Sequence, residues 1–146
     1  MKPVTLSPSY ITDNHICVFE YCSTLSAAEK RLLALGLPRL EMLKTDRRVP
    51  ASPGFTLCAE DWEGAFAEEE NPWEAVKKTV NALHGHVIRM PSKPKRRRIV
   101  GFVSCSITND NTGDITVSFN EAIAPLIVDM AHPLSQVMLP EPRECA

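Results

Sequence analysis

Apolar residues recur along the chain in two rhythms, every three to four positions and every second position, with prolines and glycines between them. In Leu25-Ser26-Ala27-Ala28-Glu29, Ser26 can accept at a helix start and Glu29, three positions on, can reach back: a capping box. Leu32, Leu33, Leu35, Leu37 and Leu40 follow and give this helix a broad apolar face. Pro38 must kink or end it, because it lacks an amide donor and its ring collides with the preceding turn. The first 22 residues have weak periodicity, broken by Pro3 and Pro8, and read as an arm with a short strand at Ile16-Cys17-Val18-Phe19. Residues 44–53 are polar with two prolines, hence a loop.

Phe55-Thr56-Leu57 alternates as a short strand. Residues 59–67 read as a helix with Trp62, Ala65 and Phe66 on one side, ended by the acidic run 68–70. Asn71 as cap, Pro72 in the first turn and Glu74 at the box position open a second helix. Trp73, Val76, Val80 and Leu83 form its buried stripe. Two helices joined by about four residues have helix-turn-helix spacing. Val87-Ile88-Arg89-Met90 is a strand, residues 91–98 a loop, and residues 99–108 β-rich with Ile99, Gly101, Val103, Cys105 and Ile107 on one face. Residues 109–113 carry strong turn chemistry, with Gly113 available for a positive φ. Ile115, Val117 and Phe119 alternate after it, so a hairpin is predicted. Ser118 and Glu121 have a second capping-box spacing before a final helix of Ala122, Ile123, Leu126, Ile127 and Met130. The predicted fold is therefore α+β, a winged helix: a three-helix cluster with a helix-turn-helix and a small antiparallel sheet. Residues 1–22 form the N-terminal arm, 23–131 the winged-helix domain, and 132–146 a flexible tail.

At 146 residues, 44% hydrophobic and 23% charged, the chain has the size and composition of one globular domain. No apolar run reaches the ~20 residues of a membrane span, and the N-terminus lacks a secretory pattern, so a cytoplasmic protein is expected. Five scattered cysteines without a Cys-x-x-Cys pair read as free thiols. His84 and His86 are the one close histidine pair; no further ligand lies at metal spacing, so no metal is expected. There is no glycine-rich phosphate loop and no nucleophile motif, so neither a cofactor nor an enzyme is expected.

Charge changes the picture at one place. Net charge is −2, yet residues 93–98 hold five of the 16 basic residues: Lys93, Lys95, Arg96, Arg97 and Arg98. Such a loop projects a positive field that suits backbone phosphates, with Pro91 and Pro94 stiffening it; the alternative is a solvated loop kept polar for solubility. On the second helix of the pair, Lys77, Lys78 and Asn81 lie off the buried stripe. Lysines can touch phosphates and asparagine can read an adenine edge.

Three stretches together resemble the N-terminal winged-helix domain of the iteron-plasmid replication initiators, the Rep_3-type initiator family. They are the helix opening at Leu25 through Leu35, the strand-helix-helix-strand run from Phe55 to Arg89, and Gly113-Asp114-Ile115-Thr116-Val117-Ser118-Phe119-Asn120 followed by Ala124-Pro125-Leu126-Ile127. Leu126 stands where the family usually has an aromatic residue. The sequence ends where that family's second winged helix would begin. The resemblance implies a domain acting in replication initiation or its control. Its partners would be double-stranded DNA at origin repeats or an operator, itself or a full-length initiator as a dimer, and host replication proteins. Ile115, Val117 and Phe119 are the expected dimer interface. Two other functions stay open: an interaction module that pairs with a full-length initiator without touching DNA, and a winged-helix transcription regulator.

Overall fold

The computed structural model describes residues 11–44, 48 and 50–139. Helix α1 (Asp13–Ser23) starts on Thr12: the hydroxyl accepts from the His15 N–H, and the His15 ring accepts from the Thr12 N–H. Helix α2 (Ala27–Gly36) has the predicted Ser26/Glu29 box. It ends before Pro38, and Leu37–Arg39 tighten into a 3-10 turn. Strands β1 (Glu41–Leu43) and β2 (Ser52–Leu57) precede helices α3 (Ala59–Glu63) and α4 (Pro72–His84). Then come β3 (Val87–Met90), β4 (Arg98–Gly101), β5 (Val103–Asn109), β6 (Asp114–Phe119), α5 (Ala124–Asp129) and α6 (Ala131–Met138).

The strands form a four-stranded antiparallel sheet, ordered β1-β2-β6-β5, and a separate antiparallel ribbon of β3 and β4. Phe55, Leu57, Ile115, Val117 and Phe119 share the inner face of the sheet. They join Leu32 and Leu33 of α2, Val76, Val80 and Leu83 of α4 and Ile127 of α5 in one core. Packing there is close enough to dictate Gly36: a Cβ at that position would stand 2.4 Å from the Phe55 ring. The β5–β6 turn uses Gly113 at φ 77, as its chemistry predicted, and the indole of Trp62 donates to the Gly113 carbonyl at 2.8 Å.

The structure corrects several expectations. Ile16-Cys17-Val18-Phe19 is helix, not strand: Val18 and Cys22, four apart, are buried on one side of α1. Pro3 and Pro8 lie outside the described residues. The predicted loop 44–53 contributes Ser52 and Pro53 to β2. Pro53 lies beyond the ladder to β6, opposite Met42 of the short edge strand β1, an edge position where proline is tolerated. The first helix of the helix-turn-helix stops at Glu63, before Gly64, and eight residues (64–71) rather than four lead to α4. Residues 99–108 are not one strand. At Phe102 the chain leaves the ribbon and enters the sheet, and a bulge between Val103 and Cys105 resets the alternation. Ser118 caps no helix. It sits in β6 with its hydroxyl buried and unpartnered, and α5 begins on Ile123 with Pro125 in the first turn, where proline is tolerated.

The tail is corrected as well, up to the point where the described residues end. Residues 131–138 form α6, with Leu134 and Met138 buried against α2 and the 3-10 turn; Pro140 and Pro142 lie outside the described residues. Leu134, 1% exposed, anchors this helix. Leu134→Ala is expected to lower stability by about 2–4 kcal/mol, the cost of a cavity in a packed core. A urea titration measures it; a change below about 0.5 kcal/mol would return the segment to a mobile tail.

Candidate nucleic-acid interface

The ribbon carries the basic run. In β3, Ile88 and Met90 are buried while Val87 and Arg89 face solvent; across the register, Arg89 lies opposite Ile99, and Met90 opposite Arg98. The inner face packs on α1, where the Cys17 thiol donates to the Arg89 carbonyl at 3.0 Å. Burial raises the pKa of that thiol, with Glu20 adding to the effect. Between the strands the Arg96 N–H donates to the Lys93 carbonyl at 3.0 Å, with Pro94 second in the turn and Lys95 third at φ 67. Proline second and positive φ third is the pattern of a type II turn, which ordinarily takes glycine at the third position. A lysine here accepts backbone strain and keeps a cation at the tip.

Lys93, Lys95, Arg96, Arg97 and Arg98 are all exposed. None of the five forms an ion pair with a described residue. They have not folded back onto the acidic side of the molecule. Arg89, which the sequence pattern did not single out, adds a sixth exposed cation on the solvent face of the same ribbon. The signal for it was the alternation of β3 itself: with Ile88 and Met90 inward, Arg89 has to point outward.

Helix α4 divides along its length. Lys78 and Asn81 are exposed and pair with no described residue, as a DNA-facing surface requires. Lys77 is committed elsewhere. Its ammonium lies 2.9 Å from Glu74 and 3.1 Å from Asp110, over the Trp73 ring at 5.3 Å. Hydrogen bonds to Glu74 and then Asp110 raise its pKa. The Trp73 indole also donates to Asp110 at 2.8 Å, so the β5–β6 turn is tied down over the first half of α4. With Glu74, Asp110 and the exposed Glu68, Glu69 and Glu70 nearby in sequence or space, that half of the helix is acidic. Trp62 and Phe66 are buried and Trp73 stacks on Trp62 at 5.4 Å, so these aromatics pack the body, as their spacing predicted.

Other candidates separate. His84 bonds the Ser106 hydroxyl at 2.6 Å, while His86 bonds Tyr21 and Glu29, so the histidine pair does not converge on one point. Among the described residues no three potential ligands cluster as a metal would need. Cys17, Cys22, Cys58 and Cys105 are free thiols, and burial pushes Cys22 up to about 12, which leaves it unreactive. Ile115, Val117 and Phe119 are 0% exposed, and their strand β6 is paired on both sides. They are core residues and present nothing to a second copy, a correction to the expected dimer interface. The opposite face of β6 and its neighbours does reach the surface: Thr56 and Thr116 meet at 3.3 Å, beside Ile107, which is 48% exposed. No helix of the described residues is long and apolar enough to cross a membrane.

At the foot of the ribbon, Glu29 is 5% exposed and still ionised. Burial raises its pKa, but hydrogen bonds from Ser26 and His86 outweigh that and lower it. Because the unfolded carboxyl titrates near ~4.3, the stabilisation is whole above that pH and is lost as pH falls through the lower folded value. Urea midpoints between about pH 5 and pH 3 should therefore fall more steeply for the wild type than for Glu29→Gln. Parallel slopes would show that Glu29 is not held ionised.

The crystal structure of the WH1 domain of MSBI1.176, a replication protein isolated from a multiple sclerosis patient, is similar to this chain. The TM-score is 0.64 at 16% identity, covering 88% of this chain and 99% of that one. The fold is a winged helix, with β3–β4 as a wing. No protein-family model matches the chain, and no curated protein matches it.

Proposed function

We propose that this chain is a replication-type winged-helix domain that binds double-stranded DNA through the β3–β4 wing, as a member of the plasmid-type initiators it resembles. The observation that carries this is the wing tip: five exposed, unpaired cations on a proline-stiffened turn in a chain of net charge −2. Solubility alone asks for scattered charge, not a single-sign cluster held in a strained turn. The fold shared with a WH1 domain of a replication protein supports the role in replication, at origin repeats or at an operator of its own gene. Lys93, Lys95, Arg96, Arg97, Arg98 and Arg89 would hold phosphates, with Lys78 and Asn81 beside them and Lys77 only after release from Asp110. Backbone contacts of this kind position a protein without reading sequence, so weak sequence preference is expected of this domain.

Six neutralised phosphates predict a log–log salt slope of about −5.4 in a mobility-shift titration. Arg96→Glu should weaken binding about tenfold and flatten that slope. A salt-independent shift, or none, together with capture of a full-length initiator, would favour the interaction module that does not touch DNA. Bound DNA consisting only of promoter sites would favour the transcription regulator.

Self-association is the second reading, on the outer face of the sheet. Ile107 is exposed there beside the neutral Thr56–Thr116 pair, which suits a second copy packed face to face. Sedimentation at tens of micromolar should show a dimer that Thr116→Arg dissociates; a strict monomer for the wild type overturns it.

A further inference from the structure

The residue that joins the wing to the body does more than connect them. His86 lies between Gly85, which caps the C-terminus of α4, and Val87, which begins β3. Its N–H donates to the Leu83 carbonyl at 3.3 Å, and its carbonyl accepts from the Phe102 N–H at 3.1 Å, where the ribbon closes. Its ring is held at both nitrogens. The Tyr21 hydroxyl of α1 is hydrogen-bonded to Nδ1 at 2.6 Å, and Nε2 donates to the Glu29 carboxylate of α2. The Tyr21 ring meets the imidazole edge-on at 5.6 Å. Glu29 is fixed in turn by the Ser26 amide at 3.0 Å. A single side chain thus touches α1 and α2, while its backbone touches α4 and Phe102, which closes the base of the ribbon.

We propose that His86 is a positioning residue: the Tyr21–His86–Glu29 chain sets the angle of the wing against α4, and so places the basic tip for DNA. The proposal rests on the reading of the wing as the DNA-contacting element. Leverage makes the angle matter. The four residues of β3 alone span about 13 Å, so a swing of about 10° at the root moves the end of the strand about 2 Å and the tip beyond it further, enough to break a charge-assisted hydrogen bond. The buried partner adds selectivity. Glu29 is nearly enclosed, so losing the imidazole leaves a buried carboxylate short of a donor, and the root must rearrange to satisfy it.

The test compares three variants of the full chain. Amide residual dipolar couplings of β3 and β4 report the ribbon's orientation against the helices, and a mobility-shift titration of a plain duplex reports DNA affinity, both well below the melting temperature. His86→Phe should shift the ribbon couplings and weaken DNA binding about tenfold, the loss of one well-placed contact set. His86→Gln retains an amide donor toward Glu29 and should restore most of both; if His86→Phe does not fold, Tyr21→Phe, which removes the hydrogen bond at Nδ1, stands in and should shift the couplings and weaken binding. Arg96→Glu should weaken binding with the couplings unchanged. Unchanged ribbon couplings in His86→Phe, with a lower melting temperature alone, would overturn the proposal by making His86 merely stabilising. So would shifted couplings with full affinity while Arg96→Glu still impairs binding. If Arg96→Glu binds normally, the wing is not the DNA contact, and the role of His86 in placing it for DNA falls with that reading.

Discussion

Between the ribbon and the four-stranded sheet the chain passes through Phe102, and the architecture depends on how that residue is satisfied. Its N–H is taken by the His86 carbonyl and its carbonyl by the Asn120 N–H, so neither backbone group is left orphaned where the chain changes sheets. Its ring is 1% exposed and meets Phe119 edge-on at 5.5 Å, inside the core that α2, α4 and the sheet share. A strand that simply continued would have carried the basic loop along the sheet. The break at Phe102 instead frees β3 and β4 to stand out as a separate ribbon, rooted in the body through the same His86 that receives the Phe102 N–H.

That geometry explains how a slightly acidic protein can present a cationic finger. The acids gather on α3, the run 68–70 and the β5–β6 turn, where Asp61 and Glu69 pair with Arg39 and Arg31 and Asp110 occupies Lys77. None of these acids pairs with the ribbon among the described residues, and its six cations keep their charge unspent. Exposed pairs in water are worth little, so the first half of α4 is masked only loosely; the separation of charge rests on where the backbone places each group more than on the strength of any pair.

Much of this was legible in the residues. The Ser26/Glu29 box, the Asn71-Pro72 start of α4, the Gly113 turn and the alternation of Ile115, Val117 and Phe119 are local signals, and each formed the element it predicted because the groups that satisfy it lie within four residues. The basic run was visible for the same reason. Short or weakly periodic elements were not. In α1 the apolar pair Val18 and Cys22 sits among residues that also alternate, and α6 holds a proline; both depend on burial against α2, α5 and β3, which no window of sequence contains.

Sequence by itself determined α2, α4, β3, the Gly113 turn and the existence of a cationic loop, because capping, turn chemistry and charge are properties of neighbouring residues. Tertiary structure alone decided which cations remain available, which face of β6 meets solvent, and that His86 is part of a clamp and not half of a metal site. Those outcomes turn on partners 33 to 65 positions away, Lys77 with Asp110, His86 with Glu29 and Tyr21, which meet only when the helices pack against one another and against the strands.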